Sequence, residues 1–335
     1  MESAAAAGSP SVSQTQTMII TVTLNSAVDK TLEVPGLEAG RRHRSVDAAT
    51  LPGGKGVNVA RVLKALGQPV IATGFAGGHA GARIIEALTE ESVLNDFVRI
   101  SDESRTNTAV LDPTTGEVTE INETGPIVSE REVELFMEKL RYLARGATMC
   151  VLAGSLPLGV PTDIYAQMIR ELKRIGVESV VDTEGDPLRL AVKAEPSVVT
   201  PNLVEAEGIV GYEFTEDQDA ALAVCEIVAQ GPAEAVVTTP DGCVARLLDD
   251  GVPRLIRATV PDQDVRSATG SGDAFLAGLV AARYSGATPL DSIRKAVACG
   301  AESTHHFGAG IVDPAEVGRM IEEVEVRDLA VPANV

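Results

Sequence analysis

Asp273 follows two glycines in the segment Ala268-Thr269-Gly270-Ser271-Gly272-Asp273-Ala274-Phe275, and an apolar stretch continues beyond it. Glycines let a backbone fold closely around a ligand, and a helix opening here would offer unpaired amides and a positive dipole end to an anion. A carboxylate in the first turn of such a helix can take the proton from an attacking hydroxyl. Gly270, Ser271 and Gly272 would meanwhile surround the charge on a transferred group, which is what phosphoryl transfer asks for. Taken alone, the same residues also describe an ordinary Gly-rich helix start with Asp273 as a capping residue.

Gly53-Gly54-Lys55-Gly56-Val57-Asn58 is a second glycine turn opening a helix, able to hold an anion or sugar hydroxyls through backbone amides. It lacks the GxxxxGK[ST] spacing, and Gly74, Gly77, Gly78 and Gly81 do not give the dinucleotide GxGxxG pattern. Asn25 and Asp29 follow the first strand-like run, where polar side chains commonly line a cleft. Arg41, Arg42, Arg44 and Arg105 form a basic group suited to phosphate contacts. Asn202 and Glu205 share a face at a helix start and could hold Mg²⁺ through water. Turn residues, solvated surface charge and helix capping are the plain structural readings of these groups.

The bulk composition narrows the partners. A net charge of −20 repels nucleic acid and anionic membranes, so any bound anion needs a local basic pocket. No apolar run reaches the about 20 residues that a membrane span requires. Cys150, Cys225, Cys243 and Cys299 are far apart with no CxxC pair, which points to buried free thiols in a reducing compartment. Residues 1–17 are rich in Ala, Ser, Gln and Thr with neither a basic start nor an apolar stretch, and read as a disordered extension rather than a signal peptide. The protein is therefore expected to be soluble and cytoplasmic.

The elements that must position these residues alternate. Ile19 to Leu24, Leu32 to Val34 and Arg41 to Ala48 are short strand-like runs, and Val59, Val62, Leu63 and Leu66 lie on one face of a helix that stops at Gly67. Thr106 to Leu111 and Glu117 to Asn122 predict an exposed hairpin. From the capping-box pair Ser129 and Glu132, helices separate apolar strands over 148–153, 177–182, 197–200 and 235–239, with two more strands and three helices closing the chain. This order predicts an α/β fold with a mostly parallel, doubly wound sheet covered on both faces, plus a small β-sheet lid. The main domain is expected over 18–325, with lid strands from about 19–51 and 105–122, and 326–335 as a C-terminal tail.

In combination these segments resemble the PfkB (ribokinase-like) family of sugar kinases, in the branch of 1-phosphofructokinase and tagatose-6-phosphate kinase. The matching stretches, in order, are Thr21 to Asp29, Gly53 to Ala60, Arg105 to Asn107, Thr119 to Asn122, Gly154-Ser155-Leu156-Pro157, Pro201-Asn202 with Glu205, and Gly270 to Asp273. The resemblance implies ATP as donor, Mg²⁺ as helper, a phosphosugar as acceptor, and a lid that often serves as a homodimer clasp. It places Asn25, Asp29, Gly53, Gly54 and Asn58 on sugar hydroxyls, Arg105 with Arg42, Arg44 and Lys55 on the substrate phosphate, and Ser155 in the same pocket. Asn202 and Glu205 would organise Mg²⁺ and the ATP phosphates, Thr238, Asp241 and Gly242 the nucleotide, and Asp273 would be the general base above a Gly270-Ser271-Gly272 anion hole.

The chain departs from the family pattern at Thr200, where many relatives carry Lys, in the nucleotide loop Val237 to Gly242, and at Ser26, where Pro is usual. The expected reaction is fructose 1-phosphate to fructose 1,6-bisphosphate, with tagatose 6-phosphate and fructose 6-phosphate as rival acceptors. A sugar-phosphate-binding protein with weak catalysis is the alternative from another class.

Overall fold

In the computed structural model, which describes residues 18–330, the expected extension over 1–17 lies outside the described residues. The chain opens with β1 (Ile19–Thr23), β2 (Ala27–Glu33) and β3 (Asp47–Gly53), then α1 (Lys55–Ala65), β4 (Val70–Gly77) and α2 (Gly78–Glu90). Four short strands follow, β5 (Leu94–Asn95), β6 (Val98–Ile100), β7 (Arg105–Leu111) and β8 (Val118–Asn122). Helices and strands then alternate: α3 (Glu130–Ala144), β9 (Met149–Ala153), α4 (Ile164–Arg174), β10 (Glu178–Asp182), α5 (Gly185–Val192), β11 (Val198–Val199), α6 (Leu203–Val210), α7 (Asp217–Ala229) and β12 (Glu234–Thr239). The antiparallel pair β13 (Gly242–Asp249) and β14 (Val252–Thr259) precedes α8 (Ser271–Tyr284), α9 (Pro289–Ser303), α10 (Pro314–Met320) and β15 (Glu325–Asp328).

The main sheet runs β15-β14-β13-β12-β11-β10-β9-β1-β4-β5, with β6 also on β4; it is parallel from β12 to β5 and antiparallel from β12 outward to β15. Period-two alternation explains how both faces are covered. In β9, Met149, Val151 and Ala153 join one core with α1, α8 and α9, while Cys150 and Leu152 join the other with α3, α4 and α7. The four cysteines are buried and free.

A separate four-stranded sheet, β3-β2-β7-β8, is the lid. Ile19–Thr23 belongs to the centre of the main sheet, so the lid strands begin at Ala27 rather than about 19, because β1 is buried on both faces. The strand expected over 41–48 forms instead at Asp47–Gly53, where Leu51 and Pro52 pair with Asp29 and Val28. The expected tail from 326 also needs correction. Glu325–Asp328 pairs with β14 as an edge strand, a short charged segment of the kind that closes sheets without inviting aggregation.

Candidate active site

Two glycine turns meet at the carboxyl ends of the central strands. Gly54, at φ +96°, caps α1, and Gly270, at φ +84°, caps α8; both backbones are in the left-handed region that suits glycine. A Cβ on Gly270 would lie 2.5 Å from the Ala309 Cβ, so this turn is held tightly from behind. Helices α1 and α8 pack together, which brings Asn58 and Asp273 into contact across 215 residues, with Asn58 Nδ2 donating to Asp273 Oδ2 at 2.9 Å.

Asp273 is buried, and burial is the main reason its carboxyl rises from the ordinary 3.8 to about 7. The neighbouring Asp182 and Asp29 push the same way, against the pull of Lys55 and the Asn58 hydrogen bond. Such a group changes protonation near neutral pH, as a proton acceptor should.

In front of Asp273 is a chamber of about 540 Å³, lined on the main-sheet side by Asn25, Gly54, Lys55, Asn58, Ser155 and Asp182. The lid contributes Asp29, Arg105, Asn107, Glu120 and Asn122, which the β2–β7–β8 register puts on one face. Asn107 Nδ2 donates to Asp29 Oδ1 at 2.9 Å, Asn25 Nδ2 to Ser155 Oγ at 3.3 Å, and Thr269 Oγ1 to Glu120 Oε1 at 3.3 Å, so the lid touches the anion turn directly. Arg105 Nε donates to the Asn25 carbonyl at 3.2 Å and Nη1 to that of Glu123 at 3.1 Å, which fixes the guanidinium at the chamber wall. Burial raises the Asp29 carboxyl above its usual range despite the Asn107 bond and the Arg105 charge. Gly53 ends β3 directly against Asp29, where a Cβ would fall 1.9 Å from Oδ2.

Four buried oxygens of this region, Thr23 Oγ1, Asn25 Oδ1, Asn58 Oδ1 and Asn107 Oδ1, have no hydrogen-bond partner among the described residues. Buried acceptors are almost always satisfied, and these belong to residues that line the chamber. A ligand with several hydroxyl donors would complete them.

Lys55 ties this chamber to the end of β10 and the start of α6. Its Nζ lies 2.7 Å from Asp182 Oδ1 and 3.7 Å from Glu205 Oε1. Burial disfavours the ammonium, but Asp182, Glu205 and Asp273 outweigh it and hold Lys55 protonated well above the usual lysine range. Asn202 and Glu205 form a reciprocal capping box, with Glu205 N donating to Asn202 Oδ1 and Asn202 N to Glu205 Oε2, both at 2.9 Å. The Asn202 oxygen is thus used in capping α6, and Glu205 Oε1 is the oxygen that faces Lys55.

A second chamber of about 530 Å³ lies behind the anion turn, lined by Thr238, Asp241, Gly242, Ser271, Phe275 and the 260–265 loop. Gly272 borders both chambers. Among the described residues, the turn beside Asp273 is thus the wall shared by two ligand-sized spaces.

Most residues expected from sequence converge here. Arg42 and Arg44 do not; they are exposed in the β2–β3 loop, and Arg44 lines a different hollow with Lys30, Leu32 and Val110 on the opposite face of the lid. Sequence reasoning missed Asp182 and Asn107. The signal for Asp182 was available, since it is a carboxylate closing the apolar strand Val180-Val181, but its partner Lys55 is 127 residues away.

The sequence matches the pfkB family carbohydrate kinase profile over residues 17–316. Phosphofructokinase-2 from Escherichia coli, in complex with substrates and products, is 27% identical, with a TM-score of 0.84 over 91% of this chain and 98% of that one. A protein from Thermotoga maritima described as a possible 1-phosphofructokinase is 26% identical, with a TM-score of 0.85 over 93% of this chain and 100% of that one. Ribokinase from Arabidopsis thaliana, complexed with ribose and ATP, shares the fold at 19% identity and a TM-score of 0.70, covering 92% of this chain and 99% of that one. The chain belongs to the pfkB family of carbohydrate kinases, which phosphorylate sugars with ATP as donor.

Proposed function

We propose that this kinase phosphorylates a sugar that already carries one phosphate, and that its substrate is fructose 1-phosphate, converted to fructose 1,6-bisphosphate. The observation that carries the acceptor class is the pairing of unsatisfied buried amide oxygens, suited to hydroxyl donors, with Arg105 in the same chamber, suited to a phosphate. Asn25, Asp29, Gly54 and Asn58 hold the hydroxyls, with Ser155 and Asn107 beside them. Asp273 accepts the proton of the acceptor hydroxyl as its oxygen attacks the terminal phosphorus of ATP. The phosphorus–oxygen bond to the leaving ADP breaks, and the ADP oxygen takes the electron pair. The amides at Gly270, Ser271 and Gly272 stabilise the transferring charge, with the α8 dipole aligned behind them. Thr238, Asp241 and Gly242 border the space for the nucleotide.

The carboxylate oxygens near the donor side suit a hard cation, and Glu205 with Asp182 would hold Mg²⁺ through water. Bound there, the ion would neutralise charge on the donor phosphates. Burial raises the Glu205 carboxyl, and Lys55 opposes this, so the group is sensitive to any added cation.

The lid's outward face carries exposed Ile121, and Val46 lies exposed in the adjoining loop, which supports self-association through the lid. One related Escherichia coli phosphofructokinase-2 structure is described as a tetramer, 26% identical with a TM-score of 0.82 over 91% of this chain. No helix among the described residues is long and apolar enough to cross a membrane, and the four free buried cysteines support a reducing, cytoplasmic setting.

Incubation with ATP, Mg²⁺ and fructose 1-phosphate, followed by ³¹P NMR of the product, tests the assignment. Appearance of fructose 1,6-bisphosphate is expected, and an unchanged monophosphate would refute it. The second reading, fructose 6-phosphate as acceptor, is favoured by an Escherichia coli phosphofructokinase-2 complexed with that sugar, 27% identical with a TM-score of 0.82. A binding-only role predicts heat on titrating sugar phosphate and none on titrating Mg-ATP.

A further inference from the structure

On the far edge of the main sheet, away from the turn that both chambers share, a hollow of about 570 Å³ gathers Arg257, Arg294 and Arg327 with Asp241, Thr259 and Glu325. In the antiparallel β14–β15 ladder Arg257 stands directly opposite Arg327, so the two side chains leave the same face. Like charges in that relation destabilise a sheet unless something lies between them. Arg294 enters from α9. In a chain of net charge −20, three guanidinium groups around one concavity need a reason.

Two of the three guanidinium groups are ion-paired within the protein. Arg257 Nη2 lies 2.7 Å from Asp241 Oδ2 and Arg294 Nη1 lies 3.2 Å from Asp291 Oδ1. Arg327 forms no ion pair among the described residues, although Glu325 lines the same hollow. Guanidinium forks match the oxygen geometry of carboxylate and phosphate, and a cluster of them favours the more highly charged phosphate.

We propose that this hollow binds a phosphate-type dianion and that binding there is felt on the nucleotide side through Asp241. Asp241 borders both the hollow and the second chamber. Its Oδ1 accepts from Thr239 Oγ1 at 2.7 Å, and its carbonyl accepts from Val260 N at 3.0 Å, so it organises the turn between β12 and β13. A dianion competing for Arg257 would leave the Asp241 charge less compensated beside the nucleotide space. Nucleotide affinity should then fall while the hollow is occupied, and by reciprocity nucleotide should weaken the dianion.

The test is calorimetric titration of the full chain with inorganic phosphate at constant ionic strength, repeated with glycerol 2-phosphate to separate free phosphate from a phosphomonoester. Arg327→Gln and Arg294→Gln remove fork contacts outside both chambers. Each should weaken the dianion by about tenfold and relieve its effect on ADP affinity, while phosphate binding in the catalytic chambers stays as in the parent. Arg327 is exposed on an edge strand, so its variant reports even where Arg294→Gln fails to fold. Isotherms that superimpose for the parent and Arg327→Gln would overturn the proposal. Because the readout is binding, this result would leave the kinase reading standing.

Discussion

The acid limb of kcat/KM should lie near pH 7 and move when Asn58 is changed. Asp273 accepts a proton only when ionised, and its carboxyl is raised to about 7, mainly by burial. Below that pH, kcat/KM should fall about tenfold per pH unit, and above pH 8 it should level off. In Asn58→Ala the 2.9 Å hydrogen bond to the Asp273 carboxylate is lost. A hydrogen bond to a charged group contributes about 1.5–3 kcal/mol, and 1.36 kcal/mol is one pKa unit, so the limb should shift up by about 1–2 units. At pH 7 the ionised fraction would fall from about half to between about 1% and 10%, and activity should recover toward pH 9. Asn58 also lines the chamber proposed to hold the sugar, so KM is expected to rise as well, and the position of the limb rather than the height of the profile carries the test. The assay is ADP release coupled to NADH oxidation from pH 5.5 to 9.5. A limb near pH 4, or one that stays in place in Asn58→Ala, would refute the assignment of Asp273 as base.

Four further outcomes are expected. Asp273→Asn should lower kcat by about 10² to 10⁴ with ligand binding largely intact, as measured by turnover and calorimetry. The same variant should be more stable than the parent above pH 7. The folded protein retains a proton that the unfolded chain releases between 3.8 and about 7, so the parent loses stability as pH rises through that window, by at most about 4 kcal/mol. Thermal melts at pH 8 and pH 4.5 should show a large gain at the first and little at the second. Arg105→Ala should raise KM for the phosphosugar about tenfold or more while KM for ATP changes little, since Arg105 lines only the acceptor chamber. Gly270→Ala places a Cβ 2.5 Å from the Ala309 Cβ at φ +84°, so both kcat and Tm should drop.

What could be read from the chain was local. The α1 and α8 starts carry their own glycines, caps and apolar faces, and the alternation from Ser129 onward is periodic enough to predict a covered parallel sheet. Long-range facts were not legible in the same way. Parallel pairing of β2 with β7 joins residues 78 apart, so nothing near Asp29 signals that Asn107 will hold it. Lys55 reads as a free cation in a glycine turn, yet Asp182 and Glu205 engage it from other strands and helices. Arg42 and Arg44 looked equivalent to Arg105 because composition carries no direction; the lid register sends Arg105 inward and their loop outward. The edge strand β15 escaped notice because Glu325, Arg327 and Asp328 show no apolar alternation.

The central claim concerns the acceptor, and initial rates of ADP release with Mg-ATP at pH 8 address it when fructose 1-phosphate, fructose 6-phosphate and tagatose 6-phosphate are compared in parallel. The highest kcat/KM is predicted for fructose 1-phosphate, with the rate lowered at least about a hundredfold in Asp273→Asn. Faster turnover of either other sugar, or no turnover of fructose 1-phosphate, would contradict it.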